Sequence, residues 1–276
     1  MNSNKMSKKE ITGEDVIEMS GVETLHPGGF DLSRRIGEVI NIKPEMKVLD
    51  VSSGKGLFAC FYAKEFGCKV TGVDINDKFI NIATKRAKNE RVSDKVDFQH
   101  GDSRKLAFKD NEFDVVVNEC AVGLIAINNP QQVLNEMVRV AKHGGKIVIH
   151  ESLWLKDLDE DKKKEAANLI GTTPYTMDEW KVMIKKAGAT PEIAEDWSGI
   201  ENMIKLRPGF EWNEDTLDFL TFKEKLFLIP KIIFKYGISA LLRLNKFQQL
   251  GVQYIKEGYL GYGLIVAKKE ASLLKQ

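Results

Sequence analysis

Between Lys47 and Asp102 the chain reads KVLDVSSGKG, then KVTGVDIN, then VDFQHGDS, and this succession constrains the fold more than any other feature. Each segment is a short apolar run closed by or followed by a carboxylate, and helical spacing or turn residues come next. Consecutive strands joined by helices pair in parallel, because a parallel neighbour is reached only through a crossover connection. The alternation predicts strands at Lys47–Val51, Lys69–Val73, Val96–Gln99, Asp114–Asn118 and Lys146–His150. Helices are predicted at Phe30–Ile40, Leu57–Phe66, Asp77–Arg91 and Pro130–Lys142, the last opened by a proline suited to a first helical turn. A doubly wound α/β core follows.

With 276 residues there is room for one such domain carrying a substantial insertion. Further helices are expected at Leu158–Ile170, stopped by Gly171, and at Met177–Ala187, stopped by Gly188; an edge strand is expected at Glu192–Ser198 and a last strand at Tyr262–Lys268. Residues 1–20 read as a flexible tail, 21–198 with 262–276 as the core, and 199–261 as a helical insertion expected to form a lid over the substrate. In a helix expected over Lys231–Lys246, the polar positions Lys231, Lys235, Ser239 and Arg243 recur every fourth residue among Ile232, Ile233, Phe234, Ile238, Leu241 and Leu242. Two readings of that stripe stay open: a packed helix with its lysines in water, or a cover for a lipophilic substrate in peripheral contact with a membrane at most.

Charge excludes some partners. Forty-one basic against 40 acidic side chains leave +1, which is no nucleic-acid footprint. The N-terminus lacks the apolar stretch of a secretory signal, and the most apolar run, Leu226–Leu244, is broken by Pro230, Lys231, Lys235 and Arg243. A cytoplasmic protein is expected, with Cys60, Cys68 and Cys120 as reduced thiols that lack the spacing of a metal site.

The turn Asp50-Val51-Ser52-Ser53-Gly54-Lys55-Gly56 leads into a helix whose first N–H groups face any bound ligand. Gly54, Gly56 and Ala59 also satisfy the G-x-G-x-x-A pattern of dinucleotide sites, so a nicotinamide cofactor has to be weighed. Asp50 discriminates. A carboxylate there repels pyrophosphate but attracts the ammonium and sulfonium of S-adenosylmethionine. Asp74, 20 positions after Gly54, can accept from ribose hydroxyls, and Asp102 from an adenine amino group beside the Ser103 backbone donor. Any one of these aspartates is explained as a cap or turn; three in order at successive strand ends are not.

On these motifs, together with GDSRKLAFKDNEFDVVV and LNEMVRVAKHGGKIVI, the chain resembles the class I S-adenosylmethionine-dependent methyltransferases, in the branch of quinone-biosynthesis C-methyltransferases and arsenite-methyltransferase-like proteins. The resemblance covers Gly21–Ser198 and the final strand. It implies a mostly parallel seven-stranded sheet with an antiparallel last strand, and S-adenosylmethionine held by Asp50, Ser52, Gly54, Gly56, Asp74, Ile75, Asp102, Ser103 and Asn118. Ser52 stands where the family usually has the first glycine of the loop.

The resemblance also turns Asn118, Glu119 and Cys120 toward the methyl group and makes the segment at His26 a flap. Candidate catalytic residues are His26, Glu119, Cys120 and His150. Trp154, Tyr175 and Trp212 either line an apolar pocket or belong to the core. No Asn/Asp-Pro-Pro-aromatic signature is present and no proline precedes Cys120, which disfavours nucleic-acid substrates. Cys60 and Cys68 lie away from Cys120, which disfavours arsenite chemistry. The expected function is in-line methyl transfer to a small-molecule acceptor, in which orientation alone contributes about 7 to 11 kcal/mol at best. The alternatives are a nicotinamide-dependent oxidoreductase and a non-catalytic S-adenosylmethionine-binding module.

Overall fold

A computed structural model of the chain describes residues 27–125, 129–170, 172–199 and 221–271, with Asp15, Glu18, Met19, Glu23 and Asn202 besides. Helix α1 (Gly29–Ile40) precedes β1 (Lys47–Val51), α2 (Leu57–Phe66), β2 (Lys69–Asp74), α3 (Asp77–Asn89), β3 (Val96–His100) and β4 (Phe113–Glu119). After these come α4 (Val122–Ile125), α5 (Pro130–Val140), β5 (Ala141–Trp154), α6 (Glu160–Ile170), α7 (Met177–Lys186), β6 (Ala189–Asp196), α8 (Phe222–Tyr236), α9 (Ile238–Lys256) and β7 (Leu260–Lys269). The strands form a seven-stranded sheet in the order β3-β2-β1-β4-β5-β7-β6. Pairing is parallel from β3 to β5 and antiparallel where β7 enters between β5 and β6. The expected architecture is therefore present, with β6 at the edge.

Both faces of the sheet are covered. On one, Leu49, Val116, Ile147 and Ile265 pack against Leu134 and Met137 of α5 and Trp180 of α7; on the other, Val48, Val70 and Val148 pack against Leu32 and Ile36 of α1 and Tyr62 of α2. Strands buried on both sides are continuously apolar, which explains why they are legible in the sequence.

The structure revises several expectations. Strand β5 runs on from His150 to Trp154, because its whole length from Lys146 pairs with β7. Trp154 is buried and packs on Tyr254 with ring centroids 6.1 Å apart, and the partly buried Tyr175 packs against the core on Trp180 at 5.1 Å; Trp212 lies outside the described residues. Gly171, the expected stop of α6, lies outside them too.

The single helix expected over Lys231–Lys246 is two helices. Gly237, at φ 88° and ψ 172°, adopts a backbone closed to other residues and separates α8 from α9. Helix α8 begins earlier than expected, at a capping box in which the Thr221 hydroxyl accepts from the Glu224 N–H while Glu224 accepts from the Thr221 N–H. Lys231 and Lys235 consequently belong to one helix, and Ser239 and Arg243 to the other. No helix of the described residues is long and apolar enough to cross a membrane.

Candidate functional site

The carboxyl ends of β1, β2 and β4 are adjacent, since Asp50 stands opposite Gly72 on one side and Val117 on the other. Asp50 is buried, and that burial, reinforced by the carboxylates of Glu119 and Asp74, pushes its carboxyl well above the ordinary range. The loop after β1 curls around this acid. Its Ser52 lies at φ 63°, so the serine at the family's glycine position adopts the backbone that glycine usually takes. Gly56, at φ 73°, opens α2, and a Cβ there would lie 2.5 Å from the Phe98 ring and 2.7 Å from Ala83. By contrast, a Cβ on Gly54 meets nothing within 4 Å, so that glycine borders open space.

Asp74 ties the loop to β2: its carboxylate accepts from the Gly54 N–H at 2.8 Å and from the Asn76 N–H at 2.9 Å. Ile75, next along, is half exposed and offers an apolar surface beside the acid. Asp102 is engaged in a way the sequence reading did not weigh. Arg104 donates to it from its backbone N–H at 2.9 Å and from its guanidinium at 2.8 Å, holding the carboxyl below its usual range. The hydroxyls of Ser103 and Ser53 are buried without a hydrogen-bond partner among the described residues.

After β4, Asn118 is fully buried and spends its amide on the backbone, donating to Val51 O at 2.9 Å and accepting from the Val122 N–H at 3.1 Å. It locks the β1 end to the β4 turn. Glu119 receives the Ser33 hydroxyl at 3.1 Å and the Tyr62 hydroxyl at 2.9 Å, which fix its orientation. Cys120 has φ 58°, and its Sγ lies 3.2 Å from His150 Nδ1. Burial and the carboxylates of Glu151 and Glu119 push the Cys120 thiol well up, so it is no ready nucleophile. His150 is itself wholly buried, its ring 5.7 Å from that of Tyr262, and in this conformation it is not exposed to an acceptor as a general base would be. His26 lies outside the described residues.

Two contributors escaped the sequence reading of the site. Ser33 and Tyr62 act from helices, and the only sequence signal is a hydroxyl on each buried face. Glu151, expected beside His150 on the ligand-binding edge of the sheet, holds the turn after β4. Its carboxylate accepts from the Val122 N–H at 2.6 Å and the Gly123 N–H at 3.3 Å, and burial raises it to about 7 against the pull of those donors. The signal was a carboxylate inside the apolar run IVIHESLW.

Asp50, Asp74 and Glu119 thus gather acidic charge at the carboxyl ends of the central strands, beside a loop glycine with open space in front of it. That charge suits a cationic ligand. The buried serine hydroxyls supply unused polar groups, and a positive ligand relieves the repulsion that burdens Asp50. Among the described residues, no group of histidines, cysteines and carboxylates is able to hold a metal ion.

Similarity to known proteins follows the same residues. The model of a methyltransferase-domain family matches residues 42–200. The chain is 26% identical over 212 residues to 27-O-demethylrifamycin SV methyltransferase of Amycolatopsis mediterranei, covering 71% of this chain and 77% of that one. To the ubiquinone/menaquinone biosynthesis C-methyltransferase UbiE of Shewanella woodyi it is 27% identical, covering 63% of this chain and 65% of the relative. Among solved structures, Haemonchus contortus phosphoethanolamine N-methyltransferase 2 in complex with S-adenosyl-L-methionine shares the fold, with a TM-score of 0.68 at 20% identity, over 93% of this chain and 57% of that one.

Proposed function

The chain belongs to the methyltransferase-domain family and is an S-adenosylmethionine-dependent methyltransferase of small molecules, and on that premise we propose how its site is divided and what kind of acceptor it takes. The cofactor is held at the ends of β1, β2 and β3 by Asp50, Ser52, Gly54, Gly56, Asp74, Ile75, Asp102 and Ser103. The acceptor approaches the turn Asn118-Glu119-Cys120 beneath a lid made by α8 and α9, the part of the expected 199–261 insertion that lies within the described residues, and it is lipophilic. Neither the nicotinamide oxidoreductase nor the binding-only module finds support in the matches.

The observation that carries this reading is the burial of Asp50 at the end of β1 with the carboxylates of Glu119 and Asp74 near it, which together raise the Asp50 carboxyl. When bound, the cofactor supplies an electrophilic methyl carbon on a cationic sulfur. Asp50 balances the positive charge, and Asp74 accepts from ribose hydroxyls. Asp102 shares its carboxylate between Arg104 and the adenine amino group. Asn118 acts by position, holding two loops in register. Glu119, oriented by Ser33 and Tyr62, faces the acceptor and is the residue best placed to take or hold a proton there; the neutral Cys120 thiol packs on His150 behind it.

Calorimetric titration with S-adenosylmethionine and S-adenosylhomocysteine tests the cofactor half. Both bind to the native chain, and Asp50→Asn weakens the cofactor more than the product, which keeps the ammonium but lacks the sulfonium charge. No heat from either ligand at millimolar concentration overturns the assignment.

A further inference from the structure

Helix α8 places its apolar residues on two opposite sides. Leu228, Ile232 and Tyr236 are buried against α9, while Phe222 (83% exposed), Leu226 (61%), Phe227 (61%) and Phe234 (94%) stand in solvent. At roughly 100° per residue, Phe222, Leu226, Pro230, Ile233 and Phe234 fall within one outward arc of about 120°. Helix α9 adds Ile238 (63%) and Leu242 (65%), one turn apart. So many exposed large apolar side chains on one helical pair mark a surface meant to be covered.

Charge indicates what covers it. Residues 222–256 carry seven cations, Lys223, Lys225, Lys231, Lys235, Arg243, Lys246 and Lys256, against Glu224 alone, a net +6 in a chain whose total is +1. Lys223 is exposed on α8 within the phenylalanine arc and Lys231 is exposed about 60° beyond its edge, whereas Lys235 lies over the Tyr236 ring toward the buried side. An apolar stripe bordered by lysines on a helix that cannot span a bilayer is the pattern of an interfacial helix, whose rings enter the acyl boundary while its cations meet lipid phosphates.

The pair is also joined to the site's edge. Tyr236 of α8 donates to Asp15 at 2.7 Å, and nearby Glu18 pairs with Lys78 at the start of α3, four residues beyond Asp74. At its other end α9 packs Tyr254 on Trp154, the last residue of β5.

We propose that the outward face of α8, with Ile238 and Leu242 of α9, docks the protein on an anionic membrane surface. The use of that docking, to admit a lipophilic acceptor from the bilayer, rests on the reading in the previous subsection; the docking does not.

Co-sedimentation of the full chain with phosphatidylcholine vesicles, with and without phosphatidylglycerol, tests it. Binding is expected to the phosphatidylglycerol vesicles, to fall as salt is raised, and to weaken about tenfold or more in Phe234→Ser, which removes one inserted ring. Lys223→Glu with Lys231→Glu should abolish the preference for phosphatidylglycerol. Unchanged S-adenosylmethionine titration in each variant shows that the pocket is intact, so a failure of docking is separable from a failure of the cofactor assignment. The proposal is overturned by absence of vesicle binding at low salt, by binding indifferent to these substitutions, or by a dimer in sedimentation equilibrium that Phe234→Ser dissociates.

Discussion

The pocket at the strand ends and the α8–α9 pair violate opposite rules of a closed globule. In the pocket, carboxylates are buried beside one another; on the helical pair, phenylalanines face water. Each is unfavourable in isolation, and each is relieved by a ligand of complementary character, a cation in the first case and an apolar, anionic surface in the second. The regions also differ in how they are held. Pocket residues are pinned by short hydrogen bonds to strand and loop backbone, whereas the outward face of α8 carries no part of the core. A substitution in the pocket should therefore disturb both fold and binding, and one on the outward helix face should disturb neither.

The largest effect is expected at Gly56. Gly56→Ala introduces a Cβ at φ 73° and against the Phe98 ring, and about 2 to 5 kcal/mol of stability should be lost. Urea unfolding measures this; a loss below about 1 kcal/mol means the turn yields more easily than its packing indicates.

Glu151 provides a test through pH. Its native value, about 7, lies above the ordinary 4.5, so the folded chain holds an extra proton in that window and stability falls as pH rises through it. Glu151→Gln does not titrate and its side-chain oxygen still accepts from Val122. Relative to the native chain, the variant should gain about 2 kcal/mol between about pH 5 and pH 8. Equal slopes in the two unfolding series would show that Glu151 is not desolvated in the native state.

Asp74→Ala should weaken cofactor binding by roughly 1 to 3 kcal/mol, the scale of leaving hydroxyls and the Gly54 N–H unpaired. Unaltered affinity in calorimetry would remove Asp74 from the site. Smallest of all, Phe234→Ser should change neither cofactor affinity nor stability by more than about 0.5 kcal/mol, since its ring is 94% exposed. A larger loss would erase the contrast between the two regions.

How much was legible follows from the range of the interactions. Strand β1 and helix α2 have the boundaries expected from the residues alone, because an apolar run, a glycine turn and a terminal Gly67 are local signals. Strand β5 was expected to be shorter because Glu151 and Ser152 break its apolar pattern, and only pairing with β7 carries the strand through them. The stripe from Lys231 to Arg243 keeps helical spacing across Gly237, so periodicity hid a break that the backbone angles reveal. At the site, the ordered aspartates were readable, but the Arg104 clasp on Asp102 was missed although only two residues separate them, since spacing does not disclose rotamer choice.

The amino-acid order by itself determined the parallel doubly wound core and the acidic crevice at its strand ends, because period, turn glycines and strand-terminal carboxylates act over a few residues. The tertiary structure decided which groups steer those acids and which apolar side chains remain outside. Ser33 meets Glu119 across 86 positions and Tyr62 meets it across 57, and Tyr236 reaches Asp15 across 221. Contacts so distant along the chain exist only once burial of the sheet faces has brought their helices together.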